Sequence, residues 1–258
     1  MCGVALTPTN NKGAFKMAKI LKQWTPFEII WLFTAVATIT TLGFIWQDTW
    51  LGFISSISGI ICVVLAAKGK IATYYFGVVQ AGTYAYIAYG YGLYGEAMLN
   101  AFFFLPIQFV GWFIWMKHRK PKGQKERGED VYAKRLTKKQ WFILVPILLA
   151  TIAVYAWILT SINAQQVHLD SFAVILSVFA QILMTLRYAD QWVMWIIVNV
   201  LTIALWFNTL VTQGGNDWAV FAMWCAFLIN SIYGWLNWRK LAKQAPEPVN
   251  EKEAQVAL

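Results

Sequence analysis

The chain has 258 residues, of which 59% are hydrophobic and 13% are charged, whereas soluble domains carry roughly 25% charged residues. Its apolar residues form long continuous blocks, a pattern that excludes an ordinary soluble domain and indicates membrane-spanning helices. The net charge of +9 comes from basic segments between these blocks, which is typical of membrane topology, so we expect no nucleic-acid partner.

Eight apolar blocks are each long enough, at about 20 residues, to cross the hydrocarbon core of a bilayer as an α-helix. In chain order they are residues 27–46, 50–67, 71–89, 97–115, 141–159, 169–186, 191–212 and 218–238. Barrel strands are not expected, because strands of about 10 residues would alternate apolar and polar side chains. The sequence therefore predicts an all-α integral membrane protein with eight transmembrane helices.

The basic residues are confined to every second connection between these helices. All 21 Lys and Arg residues lie in the segments 1–26, 68–70, 116–140, 187–190 and 239–258. The positive-inside rule places these segments in the cytoplasm, so we expect both termini there, in a bacterial inner membrane. The loop 116–140 carries ten of the basic residues, and its simplest roles are to set topology and to contact anionic lipid.

An internal duplication is indicated by a motif that ends two of the predicted helices. The pattern GWxxW occurs at 111–115, at the end of the fourth helix, and at 234–238, at the end of the eighth, 123 residues later. An offset of 119 pairs Lys68 with Arg187, so a four-residue insertion separates the two anchors. Matched order and matched polar positions predict a true repeat.

The repeat predicts two parallel three-helix units, 50–115 and 169–238, joined by a linker helix at 141–159. Equivalent helices are four apart and cross in the same direction, so an axis along the membrane normal relates the units. In such folds the ligand binds near the midplane, between the repeats. Helix 27–46 lies outside this 3+1+3 core as an accessory helix, or is the counterpart of the linker helix in a 4+4 arrangement.

Polar side chains inside the predicted helices indicate a ligand site, because a polar group in lipid is costly unless it has a partner or faces a cavity. In the seventh helix an amide lies on a stripe of indoles at helical spacing, and Gln80 and Asn199 have equivalent depths in the two repeats. The candidate substrate-binding residues are Gln80, Tyr84, Asn100, Gln108, Trp192, Trp195, Asn199 and Asn230. The alternative roles are hydrogen bonding between helices for the amides and interface anchoring for indoles at helix ends.

The residue types at these positions restrict the ligand. Aromatic faces stack on a planar ring and attract a cation, while amides donate to and accept from a carboxamide or ribose hydroxyls. No Lys, Arg, Asp or Glu lies mid-helix, and a phosphate would need Arg or Lys, so we expect a neutral or cationic unphosphorylated ligand. Without a carboxylate or His in the path, uncoupled facilitated diffusion is favoured over proton coupling. Sodium coupling through a site formed by unwound backbone remains an alternative.

The sequence offers no chemistry for an enzyme or a metal site. Its three cysteines, Cys2, Cys62 and Cys225, lack the spacing of metal ligands. It has no clustered carboxylate pair, no plausible nucleophile–base pair and no Gly-rich phosphate loop. We therefore expect no catalytic residue, no metal and no cofactor, and the lipid bilayer is the surrounding partner.

Three ordered motifs carry a family resemblance. They are Gln80, Tyr84 and Tyr86 with LYGE at 93–96, Asn100 with Pro106-x-Gln108 and the GWxxW that follows, and Trp192-x-x-Trp195-x-x-x-Asn199. Together they span the predicted core from the second helix to the eighth. In these motifs the chain resembles the PnuC family of bacterial nicotinamide riboside transporters, which are related in architecture to the SWEET transporters.

The resemblance implies uptake of nicotinamide riboside, a cationic pyridinium with a carboxamide and a ribose, by facilitated diffusion. It also implies that a separate cytoplasmic kinase traps the riboside by phosphorylation. Substrate contacts fall on Trp192, Trp195 and Asn199, with Gln80 and Gln108 as their first-half counterparts. Because the proline–glutamine pair of the first repeat has no copy in the second, we expect an asymmetric site.

Two other hypotheses remain open from the residues themselves. The chain could transport another nucleoside, vitamin or sugar, since sugars also stack on tryptophan. From a different class, it could be a membrane receptor or scaffold whose basic loop 116–140 docks a cytoplasmic partner, although that leaves the paired amides in the helices unexplained. The sequence does not determine the oligomeric state, and a homo-oligomer is compatible with it.

Overall fold

The computed structural model describes residues 23–45, 49–90, 94–121, 128–161, 167–213 and 218–244. Within these ranges the chain is helical, and its only extended pairings are two isolated bridges, Arg119 with Val131 and Lys134 with Tyr188. The predicted all-α class is confirmed.

The described residues form eight long helices, each of which overlaps most of one predicted apolar block. Seven are regular: α1 Pro26–Ile45, α2 Trp50–Lys68, α3 Thr73–Gly90, α5 Lys138–Ser161, α6 Val167–Thr185, α7 Gln191–Gln213 and α8 Trp218–Lys243. The remaining helix, α4, consists of Tyr94–Leu99, a π-helical turn Asn100–Phe104, and Leu105–Lys117. By length and composition, four of the described helices are able to cross a membrane: Pro26–Ile45, Trp50–Lys68, Ala97–Lys117 and Lys138–Ser161.

The π turn in α4 is a feature that the sequence reading missed, since the block 97–115 was expected to be one regular helix. Leu105 N–H donates to the Asn100 carbonyl, five residues back, instead of the usual four. Pro106 follows directly and has no N–H of its own. A helix loses a hydrogen bond at such a position, and a wider turn is one of the known local responses.

The helices form two groups that contact each other reciprocally. The first triplet is α2, α3 and α4, and the second triplet is α6, α7 and α8. The first helix of each triplet packs against the last helix of the other, α2 against α8 and α6 against α4. In addition α1 packs on α2 and α5 packs on α6, so the two helices outside the triplets occupy equivalent positions.

The turns that follow α2 and α6 have the same backbone structure, 118 residues apart. Gly69, with φ 72°, and Arg187, with φ 67°, both adopt the left-handed conformation. Each donates its N–H to a carbonyl three residues back, Ala66 and Met184 respectively. The sequence-based pairing of Lys68 with Arg187 is therefore wrong by one residue, because it matched like charges and not the backbone conformation that ends each helix.

Two buried tryptophans, the last residues of the GWxxW motifs, tie the triplets together. Trp115 Nε1 donates to the carbonyls of Met184 and Thr185 at the end of α6, both at 3.2 Å. Trp238 Nε1 donates to the Ala66 carbonyl at the end of α2, at 2.9 Å. Both indoles are fully buried and their centroids lie 5.6 Å apart. Carbonyls at helix ends lack the donor four residues on, and here each triplet supplies an indole donor to the other in addition to the bonds within the turns.

The glycines of the same motifs allow the helices to approach closely. A Cβ atom at Gly111 would overlap the ring of Tyr74, and one at Gly234 would overlap the indole of Trp192. Both rings come from the first turns of α3 and α7. The GWxxW motif therefore combines an interlocking indole with a position where only a residue without a side chain fits.

Residues 128–137, which we call the strap, cross both of these turns. Asp130 N–H donates to the Gly69 carbonyl and Asp130 Oδ2 accepts from Ile71 N–H, at 2.9 and 3.0 Å. Further along, Lys134 N–H donates to the Arg187 carbonyl and Lys134 O accepts from Ala189 N–H. The expectation that loop 116–140 serves only topology and lipid contact is incomplete, because this part of it packs on the protein.

The first helix is attached by a buried ion pair. Glu28 accepts from Lys68 at 2.5 Å and from the hydroxyl of Tyr233 at 2.6 Å, so α1, α2 and α8 meet at one carboxylate. Trp24 lies over the Lys68 ammonium, 4.8 Å from it. These contacts bring several elements to one end of the bundle, here called the basic end. They are the start of α1, the ends of α2, α4 and α8, the turns after α2 and α6, and the strap.

The interlocking tryptophans yield a first prediction. Trp115→Phe removes the indole donor to the buried Thr185 carbonyl and one of the two donors to the Met184 carbonyl, so we expect it to lower the free energy of unfolding by about 1–3 kcal/mol. The measurement is the midpoint of thermal unfolding of the detergent-purified protein. The control is Trp157→Phe on α5, where the indole is 72% exposed and no change is expected. Equal midpoints for the two variants would contradict the role of the Trp115 hydrogen bonds.

Candidate functional site

A cavity of about 240 Å³ lies between the two triplets, near the lower end of the roughly 300–1,000 Å³ typical of ligand pockets. Its lining comes from all six triplet helices, and among the described residues neither α1 nor α5 contributes to it. The layer that contains Trp115 and Trp238 lies between this cavity and the basic end. The cavity therefore occupies the interface between the repeat-like units.

Seven of the eight sequence-predicted site residues line this one cavity. They are Gln80, Asn100, Gln108, Trp192, Trp195, Asn199 and Asn230. Tyr84 does not line it: on α3 the lining ends at Gln80, and the Tyr84 side chain is 36% exposed. Helical spacing correctly put Tyr84 on the stripe of Gln80, but spacing alone does not show how far along a helix a cavity extends.

Three amide side chains of the cavity each donate a hydrogen bond to the protein through their nitrogen atom. Asn199 Nδ2 donates to Ser231 Oγ at 2.9 Å, Asn230 Nδ2 to the Val63 carbonyl at 3.1 Å, and Gln108 Nε2 to the Phe104 carbonyl at 3.1 Å. These bonds orient the amides before any ligand arrives, which reduces the ordering cost of binding.

Four polar atoms of the lining are buried and have no hydrogen-bond partner in the part of the chain that the structure describes. They are Gln108 Oε1, Asn230 Oδ1, Gln181 Nε2 and Trp192 Nε1. Buried polar groups in native proteins nearly always have partners, because an unpaired group loses its hydration without compensation. Two acceptors and two donors on residues that line one cavity are what a ligand with both kinds of group requires.

Aromatic side chains supply most of the remaining surface. Trp192, Trp195 and Trp224 line the cavity together with Phe104 and Phe227. Trp224 and Phe227 make an edge-to-face contact with centroids 5.6 Å apart, which orients the indole. None of the described lining residues is charged, so aromatic faces are the features that attract a cation.

The sequence reading missed the contribution of α2. Gly59, Cys62, Val63 and Ala66 line the cavity, yet small and apolar side chains in an apolar helix give no signal of a site. Gly77 on α3 is more informative, because a Cβ atom there would overlap the amide of Gln108. A glycine inside a helix can mark such a close approach, but the sequence does not identify the neighbour.

The π turn of α4 makes the site asymmetric. Asn100 begins the turn, Phe104 ends it, and both line the cavity, as does Gln108 one helical turn later. Helix α8 is regular over Trp218–Lys243 and carries no such turn. The expected asymmetry thus has a local cause in α4, and π turns are frequent at functional sites.

Comparison with known proteins gives a consistent result. Residues 49–240 match the family described as nicotinamide mononucleotide transporter. The chain is 39% identical to the nicotinamide riboside transporter PnuC of Haemophilus influenzae over 238 residues, which covers 88% of this chain and 98% of that protein. It is 39% identical to the same-named protein of Neisseria mucosa over 221 residues, covering 86% and 84% of the two chains.

A solved structure is also similar. It is described as the crystal structure of the vitamin B3 transporter PnuC, and the TM-score with this chain is 0.74 at 38% sequence identity. The match covers 86% of this chain and 94% of the other. A more distant relative, the nicotinamide riboside transporter PnuC of Escherichia coli, is 25% identical over 180 residues, or 61% of this chain and 74% of that protein.

The unpartnered amide atoms yield a second prediction, measured without ligand. Gln108→Met removes a buried unpaired acceptor at similar volume, together with the Nε2 bond to the Phe104 carbonyl. Because these two effects oppose each other, we expect the free energy of unfolding to change by less than about 1 kcal/mol. Asn199→Leu removes the donor to Ser231 and should lower it by about 1–2 kcal/mol. Thermal unfolding in detergent compares the two. A loss of stability in Gln108→Met as large as that in Asn199→Leu would show that the Gln108 amide is structural.

Proposed function

The chain belongs to the PnuC family of transporters, and on that premise we propose that it takes up nicotinamide riboside by facilitated diffusion. Family membership makes it a multi-pass membrane transport protein rather than an enzyme. The observation that carries the substrate proposal is the set of unpartnered donors and acceptors in an uncharged, aromatic-lined cavity.

The chemistry of the cavity complements each part of this ligand. The pyridinium ring is flat and cationic, which suits stacking on the indoles of Trp192, Trp195 and Trp224. Its carboxamide N–H₂ and the ribose hydroxyls are donors for the acceptors of Gln108 and Asn230. The carboxamide oxygen accepts from a donor such as the Gln181 amide.

The cavity favours the riboside over the mononucleotide after which the matching family is described. A phosphate monoester carries close to two negative charges at neutral pH and is normally bound by Arg or Lys. The described lining provides amides and aromatic rings, without a basic side chain. A phosphate there would lose its hydration without a counter-ion, so we expect the mononucleotide to bind weakly.

We further propose that all eight helices span the bacterial inner membrane, with both termini in the cytoplasm. Hydrogen bonds and ion pairs gather the described basic segments at one end of the bundle, as the positive-inside rule requires of a cytoplasmic face. The reciprocal contacts support two parallel repeats, and the equivalent positions of α1 and α5 support the 4+4 description as well as the 3+1+3 core. A homo-oligomer remains compatible with this arrangement.

The cavity lining also favours transport that is not coupled to an ion or proton gradient. With no carboxylate, histidine or basic side chain among the described lining residues, the cavity has none of the groups that usually carry a proton through a transport cycle. Net uptake then depends on removal of the free riboside inside the cell. A separate cytoplasmic kinase that adds a phosphate would do this, because the phosphorylated product fits the cavity poorly.

Other ligands of the same general shape are the main alternative. Another nucleoside, a vitamin or a sugar would also use aromatic faces and amides. The receptor or scaffold alternative loses support, because the strap, which belongs to the basic loop expected to dock a partner, packs on the protein itself.

The close approach of Gly77 to Gln108 yields a third prediction. In Gly77→Ala the methyl group displaces the flexible end of Gln108, so we expect binding of nicotinamide riboside to weaken at least about tenfold, or 1.4 kcal/mol. In the control Gly82→Ala, on the same helix, the added methyl group contacts nothing within 4 Å, and binding should not change. Quenching of tryptophan fluorescence in detergent measures both, with the mononucleotide as a phosphorylated comparison.

Either of two results would contradict this prediction. Folded wild-type protein that does not bind the riboside would overturn the substrate proposal, and other nucleosides, vitamins and sugars would then be titrated. Equal affinities for the two alanine variants would remove Gln108 from the site while leaving the substrate in place.

The absence of coupling yields a fourth prediction. In proteoliposomes, riboside uptake should stop when inside and outside concentrations are equal, with or without a sodium or proton gradient. Adding a riboside kinase and ATP inside the vesicles should produce accumulation above the external concentration. Concentrative uptake driven by either gradient in vesicles without kinase would show that transport is coupled.

A further inference from the structure

Three amides of the cavity, those of Gln108, Asn199 and Asn230, differ in what holds them. Gln108 and Asn230 donate to backbone carbonyls, which every residue supplies and which can only accept. Asn199 Nδ2 donates instead to the hydroxyl of Ser231, at 2.9 Å. The placement of the Asn199 amide therefore depends on a second side chain, whereas that of the other two does not.

The bond between Asn199 and Ser231 lies in the wall of the cavity. Asn199 is on α7 and Ser231 is on α8; the two residues are 2% and 4% exposed, and both line the cavity. No described residue donates a hydrogen bond to Asn199 Oδ1. The amide is thus held through its nitrogen, and its oxygen remains for a donor group of a ligand.

The first triplet carries the corresponding amide on a different helix. Ser231 and Gln108 occupy equivalent positions, three residues before the glycine of each GWxxW motif. In the first triplet the amide of Gln108 on α4 lies against Gly77 on α3, where a Cβ atom would overlap it. In the second triplet the amide is on α7, as Asn199, and the small residue opposite is on α8. Each triplet therefore places one amide between its middle and last helices, opposite a small residue.

The small residue of the second triplet has a hydroxyl that its counterpart, Gly77, lacks. Gln108 Nε2 is held by a carbonyl of its own helix, four residues earlier, so a glycine opposite it is sufficient. Asn199 makes no such bond to its own helix among the described residues. The hydroxyl of Ser231 supplies the support that the helix of Asn199 does not.

We infer that Ser231 is a positioning residue of the ligand site, whose hydroxyl holds the Asn199 amide in place to accept a hydrogen bond from the ligand. The inference rests on the proposed binding of nicotinamide riboside, whose carboxamide and ribose hydroxyls are donors. Without this bond the amide rotates about two side-chain bonds, and the ligand has to order it. Ordering one such side chain weakens binding by roughly three- to tenfold.

A direct contact between Ser231 and the ligand is the alternative, because the hydroxyl lines the cavity as well. The two roles differ in their dependence on Asn199. A positioning residue has no effect on affinity once the amide that it positions is removed, whereas a direct contact keeps its effect. A double-mutant cycle measures this difference.

The experiment removes the hydroxyl in two pairs of proteins of matched shape. Ser231→Ala is compared with wild type, and Ser231→Val is compared with Ser231→Thr, so that any effect of the extra methyl group cancels in the second pair. Nicotinamide riboside is titrated against each folded, detergent-purified protein by quenching of tryptophan fluorescence. We expect loss of the hydroxyl to weaken binding by about three- to tenfold in both pairs. If the proteins of one pair do not fold, the other pair decides.

The cycle repeats both comparisons in the Asn199→Ala background, where loss of the hydroxyl should change the affinity by less than about twofold. If Asn199→Ala binds too weakly to titrate, Asn199→Ser takes its place, because it keeps a polar group but ends about one bond further from Ser231. The control is Ser58→Ala on α2. The Ser58 hydroxyl is buried but donates to carbonyls of its own helix, Ile54 and Ser55, and its loss should leave riboside affinity unchanged.

Two outcomes overturn the inference. Equal affinities within both pairs show that the hydroxyl does not contribute to the site. An equal loss of affinity with and without the Asn199 amide shows that Ser231 contacts the ligand itself and does not act through Asn199. Wild-type protein that does not bind the riboside is a separate result, because it overturns the proposed function on which the inference rests.

Discussion

The carbonyl groups at the ends of α2 and α6 lie in a packed, largely apolar layer where water does not satisfy them, and the rest of the structure depends on how they are paired. Each end accepts from a tryptophan at the end of the opposite triplet. Because the donors are rigid indoles, these bonds determine both the distance and the orientation between the triplets. The interface they close on one side is the one that contains the cavity.

In the cavity, by contrast with the interlocked end, several polar groups have an unpaired atom. At the interlocked end, the indoles of Trp115 and Trp238 have partners, whereas in the cavity each of Gln108 and Asn230 is held through one atom and left unpaired at the other. Such a site lowers stability in the absence of ligand and regains it on binding. The contrast separates the part of the interface that holds the fold from the part that we propose recognises the ligand.

The strap joins the two triplets at the basic end. It connects the turns after α2 and α6 through backbone bonds at Gly69, Asp130, Lys134 and Arg187, so any relative movement of the triplets must involve it. In the proposed uptake the basic end opens to the cytoplasm, and opening there would separate the same two turns. The basic loop thus has a structural role, because it connects the two triplets, in addition to its proposed role in orientation.

The sequence by itself determined the features that depend on composition and spacing. Continuous apolar blocks located the helices, the helical stripe of Trp192, Trp195 and Asn199 identified the cavity face of α7, and the two GWxxW motifs marked the ends that interlock. Each of these is a local property, because solvation of a helix in lipid and the periodicity of its faces do not depend on what it packs against.

The tertiary structure alone decided which neighbours these faces have. Tyr84 lies on the right stripe but beyond the cavity, and the apolar face of α2 completes the site without a polar residue. At the helix ends, Gly69 rather than Lys68 is equivalent to Arg187. The strap and the π turn of α4 were equally invisible, since each depends on backbone groups of several segments. Contacts between distant segments are set by how helices of known length and face pack together, and that packing is not encoded at any one position.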